Sequence, residues 1–193
     1  MNNETTVSGI ITSVEFNHEL LGERFYIVNI SVERLSNTSD IIPVMVSDRV
    51  ATITEDNIGD TVKIIGQFRS YNRHDEDKIR LVLFVFANEV IFCDAVDSLN
   101  EITLNGFVCK HPTYRETPFG RQISDVILAV GRPYGKSDYI PCVVWGRNAK
   151  YASCLDVGDH VKITGRIQSR EYVKDNQEHI VYEVSASSIE TIS

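Results

Sequence analysis

The 193-residue chain predicts an all-β protein made of two small five-stranded barrels in tandem. Three observations predict it. The first is an internal repeat. "IPVMVSDRVA" (Ile42 to Ala51) returns as "IPCVVWGRNA" (Ile140 to Ala149), and "IGDTVKIIGQFRS" (Ile58 to Ser70) as "VGDHVKITGRIQS" (Val157 to Ser169). The offset drifts from 97 at Gly9 and Gly106, through 98 at Pro43 and Pro141, to 99 at Ser70 and Ser169. Single-residue length changes in the loops of a duplicated fold give such a drift. The second is a succession of short runs rich in β-branched and aromatic residues, separated by Gly, Pro, Asn or Asp. The third is size, since half of this length suits one small closed barrel per copy.

Taken in order, the second copy gives five strands. They are "EITLNGFVCK" (Glu101 to Lys110), "RQISDVILAV" (Arg121 to Val130), "YIPCVVW" (Tyr139 to Trp145), "HVKITGRIQSREY" (His160 to Tyr172) and "HIVYEVSASSI" (His179 to Ile189). Only "RNAKYASCL" (Arg147 to Leu155), between the third and fourth, has a helical pattern; the first copy has "DRVATITED" (Asp48 to Asp56) there. Five strands with a short helix between the third and fourth, expected in each copy, describe an OB-fold barrel. The polar segment "DAVDSLN" (Asp94 to Asn100) is the natural junction. It sets an N-terminal barrel over residues 1–97 and a C-terminal barrel over 98–193.

Side chains alternate between the two faces of a strand. On the third strand, Ile140, Cys142 and Val144 fall on one face, and Tyr139, Pro141, Val143 and Trp145 on the other. On the fourth, Val161, Ile163, Gly165 and Ile167 fall on one side; Lys162, Thr164, Arg166, Gln168, Arg170 and Tyr172 fall on the other. If the apolar sets fill the barrel, its outer wall carries aromatic rings interleaved with cations, with Tyr134 in the preceding turn beside Arg132 and Lys136. Unpaired bases expose flat apolar faces that stack on such rings, and cations neutralise phosphates. Stacking contributes about 1–3 kcal/mol per base and tolerates any sequence. The first copy keeps the core pattern (Ile42, Val44, Val46; Val62, Ile64, Gly66, Phe68) but has Ser47, Ile41, Ser36 and Arg73 for Trp145, Tyr139, Tyr134 and Tyr172. It reads as scaffold, dimer surface or partner site, with a remnant of a track in Lys63, Arg69, Tyr71 and Arg73.

Charge divides the same way. The formal net charge is −8, all of it in residues 1–97, with 8 Lys/Arg against 16 Asp/Glu; residues 98–193 have 11 of each. The second copy can therefore attract phosphate if its cations share a face. The 42% hydrophobic and 24% charged fractions are those of a soluble globular protein. No apolar run approaches the roughly 18 residues of a membrane span, and "MNNETTVSGI" lacks a signal-peptide pattern. A cytoplasmic location is expected. Cys93, Cys109, Cys142 and Cys154 form no CxxC pair and read as reduced, mostly buried thiols. Cys109 and His111, even with Cys154 and His160, lack zinc-motif spacing, so neither metal nor cofactor is expected. No nucleophile-and-base arrangement or phosphate loop is evident. The acidic run "HDED" (His74 to Asp77) reads as a solvated hairpin loop rather than a nuclease centre. The chain is expected not to be an enzyme.

These residues carry a resemblance. "NEITLNGFV", "TPFG" (Thr117 to Gly120), "ILAVGRPY" (Ile127 to Tyr134), "VVWGRNA" (Val143 to Ala149), "VGDHVKITGRIQSREY" (Val157 to Tyr172) and "YEVSA" (Tyr182 to Ala186) occur in one order and spacing. Over roughly Asn100 to Ile189 the second copy resembles the bacterial single-stranded DNA-binding protein family. The first copy matches more faintly. The resemblance implies base stacking on Tyr134, Tyr139, Trp145 and Tyr172, and basic groove contacts from Arg147 and Arg170. It implies a role in DNA replication, recombination or repair. By likeness to two-barrel relatives it also implies a homodimer with four barrels. Asp156 and Val157, where relatives often carry lysine, and Glu171 weaken the local positive field. The end at "SASSIETIS" lacks the family's acidic tail, so tail-mediated recruitment of replication or repair proteins is not expected. The expected partner is single-stranded DNA, with RNA not distinguished because stacking ignores the 2′-hydroxyl. The second reading is a primosome-like adaptor with weak or no DNA binding, which the net charge and the ring-poor first copy favour.

Overall fold

The computed structural model describes residues 2–34, 36, 38–75, 78–95, 98–174 and 177–192. The first repeat forms β1 (Asn3–Leu20), β2 (Glu23–Glu33), β3 (Ser39–Ser47), β4 (Thr61–Asp75) and β5 (Lys78–Cys93). The second forms β6 (Asn100–Val108), β7 (Thr113–Glu116), β8 (Gln122–Gly131), β9 (Ser137–Trp145), α1 (Arg147–Ala152), β10 (His160–Lys174) and β11 (Gln177–Thr191). In the first barrel β1 runs antiparallel to β2 and β4, β2 to β3, and β3 lies parallel to β5, whose other neighbour is β4. The second repeats this ring with β6, β8, β9, β11 and β10. Each ring closes on itself, so the protein is two OB-folds in tandem. The short β7, which pairs with the start of β8, matches the far end of the long β1.

The interiors follow the period-two pattern. Val62, Ile64 and Phe68 on β4 are fully buried, as are Val161, Ile163 and Ile167 on β10 and Ile140 and Val144 on β9. Burying each such side chain contributes about 1.5–3 kcal/mol. Gly165 sits where β11 crosses closest: a Cβ there would lie 2.2 Å from the Ser185 carbonyl oxygen. Gly66 meets the Phe86 carbonyl in the same way, also at 2.2 Å. Next to Gly165 the register jumps from Thr164 opposite Ser188 to Gly165 opposite Ala186, a bulge in β11. Glycine and bulge together let the strand bend enough to close a small barrel.

The compact units do not follow one cut in the chain. One joins Glu4–Arg69 with Val82–Glu101; the other joins residues from Ile102 onward with Ser70–Leu81, the outer half of the β4–β5 hairpin. Inside this second unit Asp138, 1% exposed, accepts both Nε (2.6 Å) and Nη2 of Arg132. The same carboxylate accepts the Ser70 amide, while Arg132 donates to the Ser70 carbonyl at 2.7 Å. The Tyr139 amide donates to Ser70 Oγ at 2.8 Å. The first repeat has the matching fork of Arg34 on a fully buried Asp40.

Two expectations change. The helix between the third and fourth strands exists only in the second repeat, as the six-residue α1. The first repeat has a single 3₁₀ turn, Glu55–Asn57, closed by the Asn57 side chain accepting the Thr54 amide at 2.9 Å. Thr52, Ile53 and Thr54 are β-branched and lose side-chain freedom in a helix, which shortens it to that turn. The thiols are free but not mostly buried: only Cys142 is, Cys93 and Cys109 are half-exposed, and Cys154 is exposed. Cys154 lies just past α1, where Sγ reaches the Lys150 carbonyl from the surface. Burial pushes the Cys142 thiol up and keeps it protonated. An aromatic disulfide reagent is expected to label Cys154 fastest and Cys142 only on denaturation, as read by mass spectrometry. Labelling of all four at one rate would contradict this packing. Among the described residues no helix is long and apolar enough to cross a membrane.

Candidate nucleic-acid interface

The outer wall of the second barrel is built on β9. Its last residue, Trp145, pairs opposite Ile123 of β8, on the face shared by Tyr139, Pro141 and Val143. Just beyond it, Gly146 takes a φ of 61°, a left-handed value that glycine reaches without strain. Its amide donates to the Gln122 carbonyl at 2.8 Å, pinning the end of β9 to the start of β8. The indole Nε1 donates to Ser185 Oγ on β11 at 3.1 Å, which fixes the ring by its edge. The half-buried indole lines an open groove of about 510 Å³ with Gly120, Arg121, Gln122 and Gly146. A nucleobase fits a space of that size, and the indole is not sealed in the core.

The other rings lie along the wall rather than around one pocket. Tyr134, in the turn after β8, has a φ of 65° and is fully exposed. Tyr139 is 48% exposed, near the start of β9, its amide anchored by Ser70. Six residues along β9 separate Tyr139 from Trp145, roughly 20 Å at the rise of a strand. Tyr172, near the end of β10, is 39% exposed and stacks on His179 across the hairpin at 5.2 Å.

The cations divide into engaged and available. Arg132, expected to face phosphate, is corrected to an internal role: its guanidinium is forked on buried Asp138 and bonded to the Ser70 carbonyl. Lys162 lies 3.5 Å from Glu190 on the neighbouring strand. Arg166 donates to Gln168 at 3.3 Å, and Gln168 to Glu183 at 2.7 Å, a polar ladder across β10 and β11. Arg147 and Arg170 are exposed and have no side-chain partner among the described residues. Arg121, which sequence reasoning passed over, is in the same condition at the lip of the Trp145 groove. Its signal was available in the repeat, where Arg121 stands opposite Glu23.

The first barrel is not bare of rings. Phe25 on β2, Met45 on β3 and Phe84 on β5 form a cluster, with Ile27 and Phe86 packed against it. This set lies on the face opposite Val44 and Val85 of the core. His18 stacks on Phe25 at 4.7 Å and Arg69 sits 3.9 Å over Phe86. These rings are covered by the protein's own groups: Phe25 and Phe84 are 9% and 7% exposed. The sequence comparison missed them because the rings come from β2 and β5, not from the positions of Tyr139 and Trp145. Among the described residues no group of three or more His, Cys, Asp or Glu is placed to hold a metal ion. Of His74 to Asp77, Glu76 and Asp77 lie outside the described residues.

Comparison with known proteins adds to this geometry. The profile of the single-strand binding protein family matches residues 99–192. The single-stranded DNA-binding protein of Clostridium tetani is 36% identical over 99 residues, covering 47% of this chain and 68% of that protein. That of Halalkalibacterium halodurans is 37% identical over 102 residues, covering 48% of this chain. This chain spans 60% of that relative's length. The crystal structure of the wild-type single-stranded DNA binding protein from Thermus aquaticus aligns with a TM-score of 0.81 over 99% of this chain and 93% of its own, at 18% identity. That likeness extends the shared fold to both repeats.

Proposed function

The chain belongs to the single-strand binding protein family, and from that premise we propose that it binds single-stranded DNA without sequence preference, in replication, recombination or repair. The observation that carries the reading is the half-buried indole of Trp145, fixed at its edge and facing an open groove. Tyr134, Tyr139 and Tyr172 extend the stacking surface along the wall. Arg147 and Arg170 supply phosphate contacts, with Lys162 and Arg166 following where their present partners yield. Arg132 positions the β8–β9 turn that bears Tyr134. The division of labour places the DNA-binding wall in the C-terminal barrel, residues 98–193, and a supporting role in the N-terminal barrel, residues 1–97. Binding needs no cofactor, and catalysis forms no part of the proposal. A homodimer presenting four barrels rests on the resemblance to two-barrel relatives; light scattering of the full chain tests it, a monomer mass removing it. Binding of chromosomal DNA would place the protein at the nucleoid.

Trp145 is the only tryptophan, so its emission reports on one site. Titration with poly-dT is expected to quench it, and added salt to reverse the quench as counterions return. The slope of log K against log salt should be about −0.7 per phosphate contacted. Poly-U in parallel measures the RNA preference. Absence of both quenching and binding at low salt would overturn the proposal.

A further inference from the structure

We propose that Arg121 forms, with Trp145 and Arg147, one seat for a stacked base and its flanking phosphates, and that the first repeat carries the same seat in a closed form. The inference rests on the single-stranded DNA reading above and adds to it a residue and an internal comparison. The two repeats superpose at this corner by their own hydrogen bonds. Asp48 N donates to Arg24 O at 2.9 Å in the first, and Gly146 N to Gln122 O at 2.8 Å in the second. That register sets Glu23 opposite Arg121, Ser47 opposite Trp145 and Arg49 opposite Arg147. Gly22 and Gly120, with φ of 77° and 73°, make the matching turns just before.

In the first repeat the three side chains satisfy one another. Ser47 Oγ donates to Glu23 Oε1, Arg49 Nη1 lies 3.2 Å from Glu23 Oε2, and the Arg49 amide donates to Ser47 Oγ at 3.1 Å. Ser47 is 3% exposed. One anion, one cation and a shared hydroxyl leave neither a flat apolar face nor an unmatched positive charge. In the second repeat the same three positions hold two exposed arginines without side-chain partners among the described residues and an indole, with Arg121 and the indole lining the groove and Arg147 two residues past the indole. The backbone of Arg121 is held in place. Its amide donates to Thr117 Oγ1 at 3.0 Å and its carbonyl accepts the Thr117 amide at 2.8 Å. Arg121 thus stands on the lip of the groove, and Arg147 opens α1 just past Gly146, which lines it. A base laid on the indole between them brings its own phosphates toward both. Exchange of Glu23 for Arg121 changes the local charge by two units and removes the acceptor that would otherwise hold Arg147.

Arg121→Gln and Arg121→Glu in the full chain test this. Glu116 lies on the same turn, its carboxylate 3.5 Å from the space beside Gly120, so the glutamate variant makes the lip doubly negative. Both changes are at an exposed position, and circular dichroism should show unchanged folding. With Trp145 as the reporter, Arg121→Gln is expected to bind poly-dT about three- to tenfold more weakly, with a salt slope smaller by about 0.7. Arg121→Glu should bind more weakly still, while the quench at saturation stays that of the wild type, because the ring is intact. Wild-type affinity and slope in both variants would overturn the seat while leaving the DNA reading standing. Failure of the wild type itself to bind would end both.

Discussion

Replacing Asp138 by alanine is expected to destabilise the protein by about 3–5 kcal/mol, the cost of breaking a buried ion pair from one side. The carboxylate is 1% exposed and does three things at once. It takes two donors from Arg132 and the amide of Ser70. Without it, a guanidinium whose side chain is 25% exposed keeps only the Ser70 carbonyl at 2.7 Å, and the Ser70 amide loses its acceptor. For a chain of this length that corresponds to a fall of about 6–20 °C in Tm. Asp125 provides the contrast. It also pairs with an arginine, Arg115, at 2.7 Å, but both side chains are over 40% exposed. Asp125→Ala should therefore cost less than about 1 kcal/mol. Urea unfolding of both variants measures the difference. An Asp138→Ala variant as stable as Asp125→Ala would mean that the buried fork contributes nothing.

The same fork explains why part of the site was illegible. Arg132 sits between Gly131 and Pro133 beside Tyr134, and read along the chain it is one more cation near a ring. Only the fold of the β8–β9 turn brings Asp138 back onto it. A signal did exist, since Arg34 and Asp40 have the same six-residue spacing as Arg132 and Asp138, and a pair kept in both copies of a diverged repeat belongs to what the copies share. They share the barrel, whereas the rings differ. The strand interiors were legible for a simple reason: a period of two leaves Ile140, Cys142 and Val144 one side to occupy, and a closed barrel has one inside. The cluster of Phe25, Phe84 and Phe86 was not, because position-by-position comparison looks for a ring where the other copy has one. Packing asks only that a ring reach the same patch of wall, and a neighbouring strand can supply it. The short 3₁₀ turn of the first repeat lay between these cases, its β-branched run visible but its effect on helix length a matter of degree.

Trp145→Ala is expected to weaken poly-dT binding by about 1–3 kcal/mol, the contribution of one stacked base, which is roughly 5- to 150-fold in Kd. Emission is lost with the indole, so binding is read by anisotropy of a labelled oligo-dT. The variant should lose stability as well. The ring is half-buried, and its hydrogen bond to Ser185 at 3.1 Å contributes about 1 kcal/mol. Trp145→Phe separates the two roles of the side chain. Phenylalanine keeps an aromatic face over the groove but has no N–H for Ser185. If stacking carries the affinity, the Phe variant should retain most of it and the Ala variant little. If the indole instead serves to hold β9 against β11, both should lose stability alike and neither should change the affinity per folded molecule. Tyr139→Ala and Tyr172→Ala extend the comparison along the wall. Tyr139 should behave as Trp145 does, since its exposed ring stands free of the anchor its amide makes to Ser70. Tyr172 already stacks on His179, so a base there adds to an existing stack, and the loss on truncation should fall near the lower end of the range. A graded series of this kind requires a strand lying along β9. Equal binding by all three alanine variants would require the nucleic acid to lie elsewhere.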